Sequence, residues 1–125
     1  MATEFIVKLK DRPGTLAALT SALGAAGVQI RGIGGTKGVV GLVVGDKDTA
    51  KARRALKKAK YRASERAAIE LSLSDKPGSL SAAAKRFAKG KVNISSAYVL
   101  GPGRGKVRVA FGVKNARAAK KALGR

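Results

Sequence analysis

The sequence predicts an α+β protein built from two tandem βαββαβ units, each an antiparallel sheet with helices on one face. Three observations predict this fold. The 125-residue chain repeats itself once, each repeat shows strand and helix periodicity in the same order, and 45% of the residues are hydrophobic, as in a globular protein. We place the first unit at residues 1–67 and the second at residues 68–125, and the second has no clear last strand.

The internal repeat is visible as two copies of the pattern Asp-x-Pro-Gly-[Thr/Ser]-Leu. A shift of 64 places residues 75–80 on residues 11–16 and, without a gap, residues 92–94 on residues 28–30. After three inserted residues the alignment continues at a shift of 67. Because a fixed period of this kind indicates a duplicated supersecondary unit, we expect the insertion to lie in a loop.

The first half of each unit is predicted to be a strand followed by a helix. Apolar residues alternate along the opening strands and then recur at helical spacing, with a glycine after each helix. The alternating residues are Phe5, Val7 and Leu9 in one unit and Ile69, Leu71 and Leu73 in the other, the helical stripes run from Leu16 to Ala26 and from Leu80 to Phe87, and the glycines are Gly27 and Gly90.

The second half of each unit is predicted to contain two strands and a second helix. We expect second strands at residues 28–34 and 92–100, and third strands at residues 38–45 and 105–113. Residues 101–106 lack the spacing of a phosphate loop and are expected to form a flexible hairpin loop. Asp48 and Asn115 are suitable N-caps for the second helices. A fourth strand at residues 61–67 leads into the second unit, which gives a ferredoxin-like order of elements.

The composition excludes several classes of chemistry. The chain has no Cys and no His, so it offers no disulfide, thiolate or imidazole base, and its seven Asp and Glu show no metal-ligand spacing. We therefore expect neither an enzyme nor a bound cofactor.

No apolar run approaches the roughly 18 residues of a spanning helix and no signal peptide is recognisable, so we expect a cytoplasmic protein without membrane association.

The two cores are expected to be small. Aromatic residues make up only 4% of the chain, so each core must be built mainly from Ala, Val, Leu and Ile. Two cores of about 60 residues would each be marginally stable. We therefore expect the units to associate within the chain or across a homodimer.

The repeated pattern between strand and helix can be explained physically. Pro presets φ for a turn, Gly permits a sharp bend, the hydroxyl of Thr or Ser can cap the new helix, and Leu begins its buried stripe. Such a turn leaves backbone amides free at a helix N-terminus. These amides can bind a carboxylate.

In these features the chain resembles the ACT domain family, and in particular the proteins that consist of tandem ACT units. The resemblance rests on the two turns, each about 13 residues before a Val-[Gln/Asn]-Ile segment, and it covers nearly the whole chain. It implies a regulatory, allosteric module that binds an amino acid or a similar small ligand. It also implies that the ligand lies where two ACT units meet, held by the turn after the first strand and by the start of the second strand.

Carried over by position, the resemblance implies two candidate ligand sites. The second matches the family better, because Asn93 stands where the family commonly has Asn and the first unit has Gln29. A Pro-Gly turn is also required by the fold alone, so a purely structural role, or a dimerisation surface, remains open. The second site comprises Asp75, Lys76, Pro77, Gly78, Ser79, Leu80, Asn93 and Ile94, and the first comprises Asp11, Arg12, Pro13, Gly14, Thr15, Leu16, Gln29 and Ile30.

The net charge of +20 favours an alternative function, a basic nucleic-acid-binding protein that uses its cationic helix faces. RNA recognition motifs share the βαββαβ order, so the fold does not separate the two hypotheses. Those motifs stack bases on aromatic residues of the sheet, however, and the third strands here carry only Phe111, which alternation directs toward the core. We therefore expect polyanion attraction as a property and ligand sensing as the function.

Overall fold

The computed structural model describes residues 2–124, which form two compact units. The first unit is Ala2–Glu65 and the second begins at Arg66. Met1 and Arg125, the outer limits of the predicted units, lie outside the described residues. Within residues 2–124, no helix is both long enough and apolar enough to span a membrane.

The elements follow one another in the predicted order. The first set comprises β1 (Ala2–Lys8), α1 (Thr15–Ala25), β2 (Ile30–Thr36), β3 (Val39–Val44) and α2 (Thr49–Lys58), with a 3₁₀ turn at Asp46–Asp48. The second set comprises β4 (Ala63–Ser74), α3 (Ser79–Lys89), β5 (Ser96–Gly103), β6 (Lys106–Val113) and α4 (Ala116–Ala122). One strand, β4, covers the positions predicted for two, the last strand of the first unit and the opening strand of the second.

The first unit has β3 between β2 and β1, with all pairs antiparallel. At one end of the sheet Val39 pairs with both Lys8 and Thr36, beside the β2–β3 turn. At the other end Val44 pairs with Thr3 and Ile30. Phe5 and Val7 of β1 meet Leu19 and Leu23 of α1 as predicted. Leu16, predicted to begin the buried stripe of α1, is instead 50% exposed, and Leu80 at the start of α3 is 51% exposed. The core of the first unit is formed by Phe5, Val7, Leu19, Leu23, Val28, Leu42, Val44, Ala52 and Leu56.

The second unit repeats this arrangement, with β6 between β4 and β5. Its core contains Phe87 of α3 and Phe111 of β6, whose ring centroids lie 5.2 Å apart at an interplanar angle of 57°. Tilted aromatic pairs of this kind stabilise a core beyond the area that they bury. Within the described residues no strand follows α4, in agreement with the prediction.

The inserted residues of the second unit do not enlarge the β5–β6 turn. The predicted flexible loop at residues 101–106 is wrong, because β5 extends to Gly103 and Gly103 pairs with Lys106 across a turn of only two residues. The helix-to-strand connection is longer instead, at residues 90–95 compared with residues 26–29, and β5 has eight residues where β2 has seven. The second strand therefore begins later than residue 92.

The helix ends are built partly as expected. Asn115 caps α4, since its Oδ1 accepts a hydrogen bond from the Ala118 amide at 3.0 Å. Gly27 follows α1 in the left-handed conformation with φ 75°, as predicted. After α3 the left-handed residue is Lys91, with φ 58°, rather than Gly90. Asp48 stands at the N-cap of α2 but makes no capping hydrogen bond there.

Candidate ligand-binding site

The two Asp-x-Pro-Gly turns adopt the same backbone conformation. Gly14 precedes α1 with φ 89° and ψ −14°, and Gly78 precedes α3 with φ 89° and ψ −11°. Residues with a Cβ rarely adopt this left-handed conformation, which explains the requirement for glycine in both turns. The sharp bend predicted at each position is confirmed.

The hydroxyl residues of the turns do not cap the helices, which corrects the prediction for Thr15 and Ser79. The N-cap residues are Gly14 and Gly78, and neither helix has a side-chain capping bond. The Thr15 hydroxyl donates instead to the Arg12 carbonyl oxygen at 3.0 Å, because Thr15 is already the first helical residue. The turn is thereby tightened from within, and the helix N-terminus is left open.

Open backbone amides remain at both helix N-termini. The Thr15 amide donates to Arg12 at 3.4 Å and the Ala18 amide to Gly14 at 3.0 Å. Between them, the amides of Leu16 and Ala17 have no acceptor within residues 2–124. The same pattern of bonds from Ser79 and Ala82 leaves the corresponding amides of α3 open. Each N-terminus therefore offers hydrogen-bond donors to an anion.

A cavity of about 560 Å³ lies between the first turn and the β2–β3 turn. This volume falls within the range of about 300–1,000 Å³ that is usual for small-molecule sites. The lining includes the complete first motif, Asp11 to Leu16, and thus brings six of the predicted site residues together. The lining residues are Leu9, Lys10, Asp11, Arg12, Pro13, Gly14, Thr15, Leu16, Ile33, Gly34, Gly35, Thr36, Lys37, Gly38, Val39 and Val40.

Glycines of the β2–β3 hairpin create this cavity. Gly34 and Gly35 contribute backbone without side chains to its wall. Gly38 approaches the chain that leaves β1, where the Leu9 amide donates to the Gly38 carbonyl oxygen at 2.7 Å. A Cβ on Gly38 would lie 2.8 Å from the Leu9 oxygen, closer than real Cβ atoms approach. The glycines thus hold the hairpin against the turn and leave the space beside it empty.

The lining combines apolar side chains with positive charge. Leu16, Ile33 and Val39 are 50%, 46% and 41% exposed, although large aliphatic side chains are usually buried. Exposed cations, Lys10, Arg12 and Lys37, stand around them, together with the acid Asp11. An exposed apolar wall beside open amides and cations suits a small ligand that has both a carboxylate and an apolar part.

The second turn is positioned differently against its hairpin. In the first unit the pairing of β1 with β3 ends at Lys8 and Val39, whereas β4 pairs with β6 as far as Ser74 and Lys106. Under the repeat alignment Ser74 corresponds to residue 10, so the two registers differ by two residues. A shift of two keeps every side chain on its own face of the sheet. The two turns are therefore not equivalent sites, although their local conformations agree.

The second-strand residues of the predicted sites lie far from the turns of their own units. Ile30 pairs with Val44, five residues along β3 and thus about 17 Å from Val39 beside the β2–β3 turn, and Ile30 does not line the cavity. Asn93 and Ile94 precede β5 near Ser95, whose amide donates to Gly112 at the end of β6 remote from Lys106. Neither unit by itself joins its turn to these residues, and their role in binding stays a prediction.

Gln29 is held by a different contact that the sequence did not reveal. Its backbone amide donates to Asp48 Oδ2 at 3.1 Å, and Lys51 Nζ lies 3.0 Å from Asp48 Oδ1. Lys51 Nζ also donates to the Gly27 carbonyl oxygen at 3.0 Å. The hydrogen bonds from Lys51 and then Gln29 lower the pKa of Asp48. Asp48 therefore fastens the α1–β2 connection to α2 as a buried carboxylate.

Sequence reasoning missed the half of the cavity formed by residues 33–40. The strands predicted at residues 28–34 and 38–45 do not indicate that the side chains of Ile33 and Val39 are exposed. A run of glycines within a strand was the available signal, because glycine in a strand often marks a place where a ligand or another backbone approaches closely. A sequence pattern does not show which turn lies beside that strand.

The fold and this geometry define an α+β protein of two tandem ferredoxin-like units with a cavity at the first turn. No protein-family model matches the chain, and no curated protein matches it. Protein BT0572 from Bacteroides thetaiotaomicron superposes with a TM-score of 0.79 at 18% identity, over 98% of this chain and 85% of that one. The ligand-free regulatory subunit of aspartate kinase from Thermus thermophilus superposes with a TM-score of 0.73 at 21% identity, over 98% of this chain and 87% of that one.

A longer protein contains the same fold as a part. The aspartate kinase of Clostridium acetobutylicum superposes with a TM-score of 0.69 at 17% identity, over 98% of this chain and 32% of that one. The predicted fold class, an α+β tandem of ferredoxin-like units, is confirmed by these likenesses and by the element order.

Proposed function

We propose that this protein is a regulatory module that binds an amino acid in the cavity at the first turn and catalyses no reaction. The observation that supports this most strongly is the cavity of about 560 Å³ beside the open amides of α1. The structural likeness to a regulatory subunit of aspartate kinase is in keeping with this proposal. We also propose that the protein is cytoplasmic. That the protein forms a homodimer, and that the ligand lies between two ACT units, are still predictions from the sequence.

The ligand carboxylate is proposed to accept hydrogen bonds from the amides of Leu16 and Ala17. Aligned peptide dipoles place partial positive charge at a helix N-terminus, and this favours an anion. Lys10, Arg12 and Lys37 add positive charge around the cavity. A carboxylate is therefore favoured over a neutral amide at this position.

The ligand side chain is proposed to be aliphatic. Leu16, Ile33 and Val39 expose apolar surface in the cavity, and covering it removes that surface from water. A lysine or arginine ligand would bring another cation among three cations of the lining. We therefore expect Leu, Ile, Val or Met to bind more tightly than Lys or Arg.

Regulation requires that the ligand bind one state of the protein more tightly than another.

The nucleic-acid alternative receives no support from the sheet, because Phe111 is 1% exposed and lies in the core, as the alternation predicted. It cannot serve as a stacking platform.

A thermal-shift screen of the twenty amino acids, followed by calorimetric titration of the best one, tests the proposal. Leu16→Ser is the informative variant and Leu80→Ser the matched control, since these equivalent residues are 50% and 51% exposed. Burying the exposed half of a Leu contributes about 0.8–1.5 kcal/mol, so Leu16→Ser should weaken binding roughly 4- to 13-fold. Leu80→Ser should leave the Kd unchanged.

Two results would overturn the proposal. One is a screen in which no amino acid raises the Tm, because a ligand at a hundred times its Kd adds about 2.7 kcal/mol to the stability. The other is an equal loss of affinity in both variants, or a loss only in Leu80→Ser. The amide derivative of the best ligand, which lacks the carboxylate, should not bind.

A further inference from the structure

The second unit has an unusually one-sided charge. From Lys76 to the last residue the sequence contains 13 Lys and Arg and no Asp or Glu. Mixed charges on a protein surface partly neutralise one another, but a surface of one sign generates a potential that attracts polyanions. The location of these cations in the fold decides what they can bind.

Six of these cations lie on two helices that contact each other. The helices α3 and α4 pack together, and Arg86 Nη2 donates to the Leu123 carbonyl oxygen at 2.8 Å. Their inner faces enter the core through Ala83, Phe87 and Ala119. The other five cations are exposed and form what we call the α3–α4 basic face, which consists of Lys85, Lys89, Arg117, Lys120 and Lys121.

The basic face differs from the cationic helix of the first unit. On α2, Lys51 pairs with Asp48 at 3.0 Å and Arg53 with Glu65 at 2.7 Å. For the part of the chain that the structure describes, no residue of the basic face has an ion-pair partner. Lys85 and Lys89 stand four residues apart on one helix, a like-charge spacing that disfavours a helix in isolation. An anionic partner would relieve this repulsion.

We infer that the α3–α4 basic face binds the phosphate backbone of nucleic acid without reading its sequence. Each strand of a duplex carries one phosphate for about every 3.4 Å of the duplex axis, so a backbone lying along the face offers several phosphates to its cations. Lys85 and Lys89 are about 6 Å apart along the helix axis, close to the rise of two nucleotides along the duplex axis. The face presents no aromatic side chain for stacking, so bases are not recognised.

A membrane is the less suitable partner. Amphipathic helices bind membranes by inserting an apolar face rich in Trp, Phe or Leu. Here the apolar faces of α3 and α4 are already used in the core, and Phe87 is completely buried. Beyond the first three residues of α3, the exposed residues of both helices are Ala, Lys and Arg.

Fluorescence anisotropy with a labelled 20-base-pair DNA duplex at 50–200 mM salt tests this inference. Five phosphate contacts predict a slope of log K against log salt of about −4.5, which is roughly a 500-fold loss of affinity over this range. The quadruple variant Lys85→Gln, Lys89→Gln, Lys120→Gln and Lys121→Gln should reduce that slope to about −1. Two duplexes of unrelated sequence should bind within twofold of each other.

The control variant removes the same charge from the first unit. It carries Lys47→Gln, Arg54→Gln, Lys57→Gln and Lys58→Gln, and it should retain a slope near the wild-type value. Equal losses in both variants would show a net-charge effect and overturn the inference, as would an unchanged slope in the α3–α4 variant. Stronger binding to phosphatidylserine vesicles than to the duplex would also overturn it. Far-ultraviolet circular dichroism checks that both variants fold.

Discussion

The left-handed turn before α1 leads to a quantitative prediction about stability. Gly14 has φ 89° and ψ −14°, and a Cβ added there would meet nothing within 4 Å. Gly14→Ala therefore creates no clash. Its effect is the cost of holding a residue with a Cβ in the left-handed region, about 1–2 kcal/mol. Gly78→Ala should be equally destabilising, because its turn has the same geometry.

Gly24→Ala is the matched control for this substitution. Gly24 lies within α1, and its added Cβ would also meet nothing within 4 Å. Within a helix, Ala is more stable than Gly by about 0.5–1 kcal/mol. The two variants should therefore move the free energy of unfolding in opposite directions and differ by about 1.5–3 kcal/mol.

Urea denaturation followed by far-ultraviolet circular dichroism measures this difference. The midpoint should fall for Gly14→Ala and rise for Gly24→Ala, with unchanged slopes if neither variant alters the surface exposed on unfolding. Each kcal/mol should correspond to roughly 2–8 °C in Tm for a chain of this size. A Gly14→Ala protein as stable as the wild type would refute the left-handed geometry of the turn. A Gly24→Ala protein less stable than the wild type would instead contradict the open helical position of Gly24.

Three further predictions concern the packing and capping of the helices and the buried carboxylate. Gly90→Ala should destabilise the protein by about 1–3 kcal/mol, because the new Cβ would lie 2.6 Å from the Cβ of Ala122. Adding Ala122→Gly should recover most of the lost Tm, and no recovery would argue against this contact. Asn115→Ala should cost about 0.5–2 kcal/mol in thermal or urea unfolding, since it removes the capping bond to Ala118, whereas Asn115→Asp should not. The hydrogen bonds that lower the pKa of Asp48 stabilise the fold above the unfolded Asp pKa of about 3.9, and this contribution is lost as the pH falls through the lower folded value. In acid unfolding, Asp48→Asn should make the free energy of unfolding depend less on pH below the unfolded Asp pKa. An unaltered pH dependence would contradict the stabilising role of the Asp48 carboxylate.

The features that the sequence predicted well are local. Alternation and helical spacing placed Leu19, Leu23 and Phe87 in cores, and all three are fully buried. The Asp-x-Pro-Gly pattern predicted its own bend, because the conformation of Gly14 depends on its immediate neighbours. The repeat itself fixed the order of the elements in both units.

The features that the sequence did not predict depend on distant residues. The two-residue difference in register preserves the alternation of every strand, so periodicity contains no sign of it. The Gln29 amide meets the Asp48 carboxylate only after folding, across 19 positions of the sequence. The cavity likewise depends on the hairpin reaching Leu9, which no motif within residues 11–16 could reveal.

Two-dimensional ¹H–¹⁵N nuclear magnetic resonance tests the central claim most directly. The labelled protein would be titrated with the amino acid that gives the largest thermal shift. The account predicts the largest amide shifts at Leu16 and Ala17, with the amides of Leu80 and Ser81 unchanged. Shifts concentrated at the second turn, or none near the first at saturating ligand, would contradict it.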